Sequence, residues 1–340
     1  MRDSEGKYPL SSIVGKGSPI TQLHCIQYHD KPDTAIDTLI QKTPDNFRAK
    51  SAPTEKELSM DPSTTVFQRS QILLCGDSLT QLSFEGWGAR LANVYQRRAD
   101  VINRGYSGYN TTFYLQLLEQ DDQYVVLPEP TPHTKVSLAI VFFGANDAAI
   151  KGIDDHHYVS LEQYGQNLKT IVEKIDAKTQ CGRQNIILIA PPPVHHQQRL
   201  DYQKRRYGDK ATGVLERTLE NTGLYAQKCQ QVAKELDVSC LDLYHDMLQC
   251  DTDWTTFFHD GLHFAKPGHD FVAERLLALL ERDYPDWTVQ ACPKTGQFCN
   301  SSSMGGKRLS VHGPFHDEID SNNVKESFAR HSEARNKGGK

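Results

Sequence analysis

Four short polar clusters carry side chains that do chemistry, and each closes or follows an apolar run. The first is Gly76-Asp77-Ser78, inside "ILLCGDSLTQ" (72–81). The others are "NRGYSGYNT" (103–111), "GAND" (144–147) and "DGLHF" (260–264). Together they hold a hydroxyl, a carboxamide, a carboxylate, an imidazole and closely spaced glycines, which is the inventory for acyl transfer through a serine. Ser78 is the candidate nucleophile and His263 the base that takes its proton. Asp260, three residues before His263, can reach back to the imidazole and hold its tautomer. The backbone N–H groups of Ser78 and Gly108, with the side-chain amide of Asn146, are candidates for an oxyanion hole. Glycine at 108 lets the backbone approach a substrate with no Cβ in the way.

The elements that must position these residues alternate. Residues 72–75 form an apolar run, and then Trp87, Leu91, Val94 and Tyr95 recur at helical spacing. "VIN" (101–103) precedes a helix-capable "TTFYLQLLEQ" (111–120), and "VSLAIVFF" (136–143) is the run of a strand covered on both faces. Leu168, Ile171, Val172 and Ile175 mark the next helix, "NIILIA" (185–190) the next strand. A long helical stretch reaches about Leu236; "VSCLDL" (238–243) reads as a fifth strand, and Val272, Leu276, Leu279 and Leu280 as the stripe of a last helix. Strands alternating with helices imply an α/β fold with a parallel sheet, right-handed crossovers and helices on both faces. In such sheets the ligand crevice lies beyond the carboxyl ends of the strands, where all four clusters fall.

Composition narrows the classes. The 340 residues are 38% hydrophobic and 24% charged, with a net charge of -5, which argues against a nucleic-acid surface. No apolar run has the roughly 18–20 residues of a membrane span, and "MRDSEGKYPLSS" is not a secretory signal pattern, so a cytoplasmic protein is expected. Eight scattered cysteines in a chain of this size are expected to be reduced thiols, Cys292 and Cys299 being the one pair close enough to invite a bridge. No phosphate-binding glycine loop follows a strand, so no nucleotide cofactor is expected. The adjacent pairs His156-His157 and His195-His196 do not converge on one ion, and no metal is expected. Three regions follow: a weakly patterned extension (1–69), with "ITQLHCIQY" and "DTAIDTLIQK" as its only short elements, a patterned domain (70–285), and a polar tail (286–340) expected to be disordered.

The four clusters, in order and rough spacing, resemble the sequence blocks of the SGNH or GDSL hydrolases, and the middle region looks like the isoamyl acetate-hydrolysing esterase branch. The resemblance implies a flavodoxin-like three-layer α/β/α sandwich on a five-stranded parallel sheet. It places the nucleophile on Ser78, the oxyanion glycine and asparagine on Gly108 and Asn146, and the triad acid and histidine on Asp260 and His263. The activity implied is cofactor-independent hydrolysis of short-chain carboxylic esters, with acetates such as isoamyl acetate in view. Carbohydrate deacetylases, thioesterases and lysophospholipases share the blocks, because pocket walls set the choice of leaving group. Phe84, Phe264 and the loop after "PPPV" (191–194) are the candidate walls.

Blander readings exist for each part. Ser78 could cap the following helix, Asp77 and Asp147 could shape loops by bonding backbone, and the protein could be a non-catalytic scaffold. The α/β-hydrolase elbow is excluded, because G-x-S-x-G needs a glycine where this chain has Thr80.

Overall fold

A computed structural model describes residues 68–289, Gly313 and residues 319–338. The extension expected at 1–69, except its last two residues, lies outside them, as does the Cys292–Cys299 pair. The strands are β1 (Arg69–Gly76), β2 (Ala99–Gly105), β3 (Thr134–Phe142), β4 (Ile186–Ile189) and β5 (Ser239–Leu241). Between β1 and β2 lie α1 (Ser78–Gln81) and α2 (Trp87–Val94); α3 (Thr111–Leu118) and α4 (Asp121–Tyr124) precede β3. Then come α5 (Leu161–Thr179) before β4, α6 (His196–Tyr207) and α7 (Leu219–Leu236) before β5, and α8 (Leu243–Gln249) and α9 (Lys266–Asp283) after it. All strand pairs are parallel, in the order β2-β1-β3-β4-β5, which is the flavodoxin-like order.

The period-two alternation of the strands divides their side chains between two cores. Ile72, Leu74, Ile140, Phe142, Ile187 and Ile189 face α2 and α9, where Trp87, Leu91, Val272 and Leu276 are buried. Leu73, Cys75, Ala139, Val141, Ile186 and Leu188 face the other way, onto Leu168, Ile171 and Ile175 of α5 and Val232 of α7. Each of the Leu, Ile, Val and Phe side chains among them stabilises the fold by about 1.5–3 kcal/mol relative to exposure. The inner strands are buried on both faces, so their sequences read as unbroken apolar runs. No described helix is long and apolar enough to cross a membrane.

Two expectations need correction. The long helical stretch before β5 is two helices, parted at residues 208–218, where Gly208 and Gly213 take φ of 55° and 68°. The polar tail, expected without structure, holds α10 (Val324–Gly338). Its "VKESFARHSEARNKG" lacks apolar periodicity but is rich in good helix formers. Ser327 Oγ, in its first turn, accepts from the Asp320 N–H at 3.0 Å, supplying a local cap at the start of the helix.

The register sets the stage for chemistry. Gly76 of β1 stands level with Gly105 of β2 and Phe142 of β3, and Phe142 with Ile189 of β4. Ser78, Gly108 and Asn146 therefore follow this common edge by two, three and four residues respectively.

Candidate active site

At the end of β1 the backbone turns at once into α1, and Asp77 is its N-cap. The Asp77 carboxylate accepts from Leu79 N at 2.9 Å, and its carbonyl from Thr80 N and Gln81 N at 3.2 and 2.9 Å. A helix starts with four N–H groups that lack intrahelical partners. Asp77 takes two of them, those of Leu79 and Thr80, and its bond from Gln81 begins the helical ladder; the N–H of Ser78 has no hydrogen bond among the described residues. The capping role considered for Ser78 thus belongs to Asp77, and the Ser78 hydroxyl lies 2.9 Å from His263 Nε2 instead. The turn also requires Gly105 on the neighbouring strand, since a Cβ there would stand 2.1 Å from Gln81 N.

His263 is held by a small loop between the 3-10 turn Trp254–Phe257 and α9. Phe258 bridges Phe264, the Ala265 N–H donates to the Phe257 carbonyl at 2.8 Å, and the carbonyl of Gly261 accepts from His195 N at 2.9 Å. Inside the loop Asp260 Oδ1 accepts from the N–H groups of Leu262 and His263 at 3.0 and 2.8 Å. Its other oxygen, Oδ2, meets His263 Nδ1 at 2.8 Å. An ionised carboxylate only accepts, so Nδ1 carries the proton and Nε2 presents its lone pair to Ser78. Asp260 is 1% exposed. Burial alone would raise its pKa, but the hydrogen bond and charge of His263 and the two backbone N–H groups hold it well below the usual carboxylate range. A carboxylate that stays ionised, an oriented imidazole and a hydroxyl in line form a proton path for nucleophilic attack.

The other two clusters meet beside this path. Gly108 has φ +78°, a conformation that favours glycine, and its N–H has no hydrogen bond among the described residues. A Cβ there would meet only His157 Nε2, at 3.9 Å, so the backbone angle rather than space calls for glycine. Asn146 Nδ2 donates to the carbonyl of Tyr109 at 3.0 Å, tying the β3 loop to the Gly108 loop and leaving its second N–H for a ligand. Asp147 Oδ1 accepts from Thr111 N at 3.0 Å, and Asn167 Nδ2 donates to Thr111 Oγ1 at 3.0 Å. Asp77 and Asp147 are both buried loop-shapers; burial pushes their pKa values up to about 7 and about 6, with Leu79 and Thr111 donors pulling back. Both take up protons on folding, so their share of stability falls as pH rises from about 4 towards 7.

The candidate walls fare differently. Phe84 is 50% exposed on a one-turn 3-10 helix, Leu82–Glu85. Phe264 is a correction: it is 5% exposed, in the core, stacked on Phe258 and Phe142 with centroids 5.6 and 6.4 Å away. It follows His263 directly, yet its ring packs into the core while the imidazole faces Ser78. The loop after "PPPV" is short: His195 is half-buried, and α6 begins at His196. An aromatic row does flank the Gly108 loop, from Tyr106 through Tyr109 and Phe113 to His156, with successive centroids 5.3, 6.0 and 5.2 Å apart. Two surface cavities of about 540 and 340 Å³ are lined by other residues, beside Trp287 and beside Lys178.

The histidine pairs diverge. His157 Nδ1 is on Asp154 at 2.8 Å while His156 packs on Phe113; His196 Nε2 accepts from Leu219 N while His195 packs on Trp254. His259, Asp260 and His263 do lie close enough to share an ion, but Asp260 Oδ2 and His263 Nδ1 are each other's partner. A metal on Nδ1 would displace that proton and undo the path to Ser78.

Sequence reasoning missed a buried ion network beside the site. Arg199 of α6 donates to Asp260 Oδ2 at 3.3 Å and to Glu216 at 3.0 Å; Arg217 donates to Asn146 Oδ1 at 3.0 Å. The signal was faint: charged residues in a polar helix and loop read as solvent-facing.

Comparison with known proteins follows the same residues. The model of the GDSL-like Lipase/Acylhydrolase family matches residues 74–271, a span that holds all four clusters. A GDSL esterase/lipase of Arabidopsis thaliana is 41% identical over 212 residues, 61% of this chain and 84% of that protein. The isoamyl acetate-hydrolyzing esterase 1 homolog of Homo sapiens is 35% identical over 215 residues, covering 62% of this chain and 82% of that one. Among solved structures, a lipase/acylhydrolase from Enterococcus faecalis aligns with a TM-score of 0.47 at 22% identity, over 63% of this chain and 96% of that one. With more than half its length matched by the family and most of each relative covered, the chain belongs to the GDSL-like lipase/acylhydrolase family and is a carboxylic ester hydrolase.

Proposed function

We propose that this hydrolase cleaves short-chain carboxylic esters, acetates such as isoamyl acetate first among them, through an acyl-enzyme on Ser78. The observation that carries the reading is the unbroken chain from Asp260 to His263 to Ser78, at 2.8 and 2.9 Å. Ser78 Oγ attacks the ester carbonyl as its proton passes to His263 Nε2. The negative oxygen of the tetrahedral intermediate is received by the N–H groups of Ser78 and Gly108 and the amide of Asn146. Collapse returns the proton to the departing alcohol, and water, activated by the same imidazole, releases the acid. Asp260 keeps the imidazole in the tautomer that both half-reactions need. The acetate preference draws support from relatives whose names specify isoamyl acetate, and the aromatic row from Tyr106 to Phe113 offers an apolar face to a short branched alcohol.

Turnover of p-nitrophenyl esters from acetate to octanoate, with isoamyl acetate beside them, tests the substrate class. kcat/KM is expected to fall along the series. A rise towards octanoate, or a clear preference for a thioester or an O-acetylated sugar, contradicts the short-ester reading.

Asn146 supplies a sharper prediction. Its amide donates and cannot act as a base, so its help is realised as negative charge develops. Asn146→Ala is expected to lower kcat about 10²–10³-fold, about 3–4 kcal/mol, with KM little changed. A lowered urea midpoint with an unchanged kcat per folded molecule would instead make Asn146 a scaffold residue.

A further inference from the structure

The donor in the oxyanion hole is a primary amide, and an amide can be held either way round. Its two ends are nearly the same size, and a flip would point Oδ1 rather than Nδ2 at the developing oxyanion. What prevents the flip lies on the far side of Asn146. Arg217 is buried in the loop between α6 and α7, and its Nη2 donates to Asn146 Oδ1 at 3.0 Å. Its Nε donates to the carbonyl of Ala145, one residue earlier, at 2.7 Å. A guanidinium has donors only, so it accepts nothing from Nδ2 and tolerates only the carbonyl end of the amide. The carbonyl of Tyr109 selects the same orientation from the other side, taking a hydrogen from Nδ2 at 3.0 Å.

The guanidinium is itself fixed. Its Nη1 lies 3.6 Å from carboxylate oxygens of both Asp154 and Glu216. Glu216 in turn holds Arg199, whose Nη1 reaches Asp260 Oδ2 at 3.3 Å, and the Glu216 carbonyl accepts from Ile150 N at 2.9 Å. Two consecutive residues, Glu216 and Arg217, thereby connect the loop after β3 with the loop that carries Asp260 and His263. The break between α6 and α7 is what lets this segment cross the crevice edge.

We propose that Arg217 is a positioning residue for ester hydrolysis: it locks the Asn146 amide with its N–H end towards the oxyanion. The inference rests on the reading of Asn146 as an oxyanion donor. Lysine at 217 keeps the positive charge for Asp154 and Glu216, but a single ammonium cannot reproduce the planar fork across Ala145 O and Asn146 Oδ1.

A double-mutant cycle over wild type, Arg217→Lys, Asn146→Ala and the pair tests it, with kcat and KM for p-nitrophenyl acetate measured per folded molecule and urea midpoints alongside. Arg217→Lys is expected to lower kcat about 10–100-fold with KM within about twofold, and to cost less than about threefold more once Asn146 is alanine. Should the lysine variant not fold, Arg217→Gln, which keeps a donor for the Ala145 carbonyl, goes through the same cycle with the same criteria. A native kcat in the Arg217 variant, a loss confined to KM, or an equal loss with and without Asn146 overturns the proposal. A native kcat in Asn146→Ala alone defeats the oxyanion reading and this one together, whereas full additivity defeats only this one.

Discussion

Ser78→Ala is expected to lower kcat by about 10⁶-fold, to the rate that binding and the oxyanion donors sustain alone. Ser78 Oγ is the one hydroxyl in hydrogen-bond reach of His263 Nε2 among the described residues, so no neighbour takes over the attack. The loss should not come with unfolding. Asp77, not Ser78, caps α1, and the removed hydroxyl gives up a single hydrogen bond at a partly buried site, about 0.5–1.5 kcal/mol. Initial rates on p-nitrophenyl acetate, read with circular dichroism and a urea midpoint, check both parts. A variant that folds normally and keeps even one-hundredth of the native kcat takes Ser78 out of the chemistry.

Asp260→Asn is the second large effect. An asparagine amide facing His263 donates where the carboxylate accepted, which favours the tautomer with its proton on Nε2, aimed at Ser78. The imidazole then cannot take the serine proton, and kcat is expected to fall about 10⁴-fold, as in triads where the tautomer is lost. Here stability is also at stake. Asp260 is buried and serves four donors: the N–H groups of Leu262 and His263, the imidazole and Arg199. Losing the charge costs about 1–3 kcal/mol as well. Because Asp260 is held below the usual carboxylate range, its stabilising share is fully present above its unfolded pKa and is lost as pH falls through the folded one. The variant should therefore be less stable than the wild type at neutral pH, with the difference closing in acid. Near-native kcat per folded molecule would leave Asp260 a purely structural residue.

Much of this site was legible because its parts obey local rules. β1, β3 and β4 are inner strands, so "ILLC", "LAIVFF" and "IILI" stand out as apolar runs, and a parallel sheet then locates the crevice. Asp260 and His263 lie three residues apart in one loop, where an aspartate closes on following N–H groups by itself. The parts that escaped depend on long-range burial. Arg199, Glu216 and Arg217 look like solvated charges in the sequence, and only the packing of the α6–α7 segment against Ala145 and Asp260 makes them a buried network. Phe264 follows His263 in the sequence, but its packing on Phe142 and Phe258, a long-range effect, decides where the ring sits. α10 escaped because helix formers and a local cap sufficed without an apolar stripe.

The claim at the centre is that Ser78, activated by His263, becomes covalently acylated. An electrophilic organophosphonate that mimics the tetrahedral intermediate traps such a serine without turnover, and intact-mass and peptide mass spectrometry locate the adduct. One adduct per chain is expected, on the peptide that contains Ser78, with its formation matching the loss of esterase activity. Asp260→Asn should label far more slowly, and Ser78→Ala not at all. Stoichiometric labelling of Ser78→Ala, an adduct on another residue, or full esterase activity in phosphonylated enzyme would contradict the account.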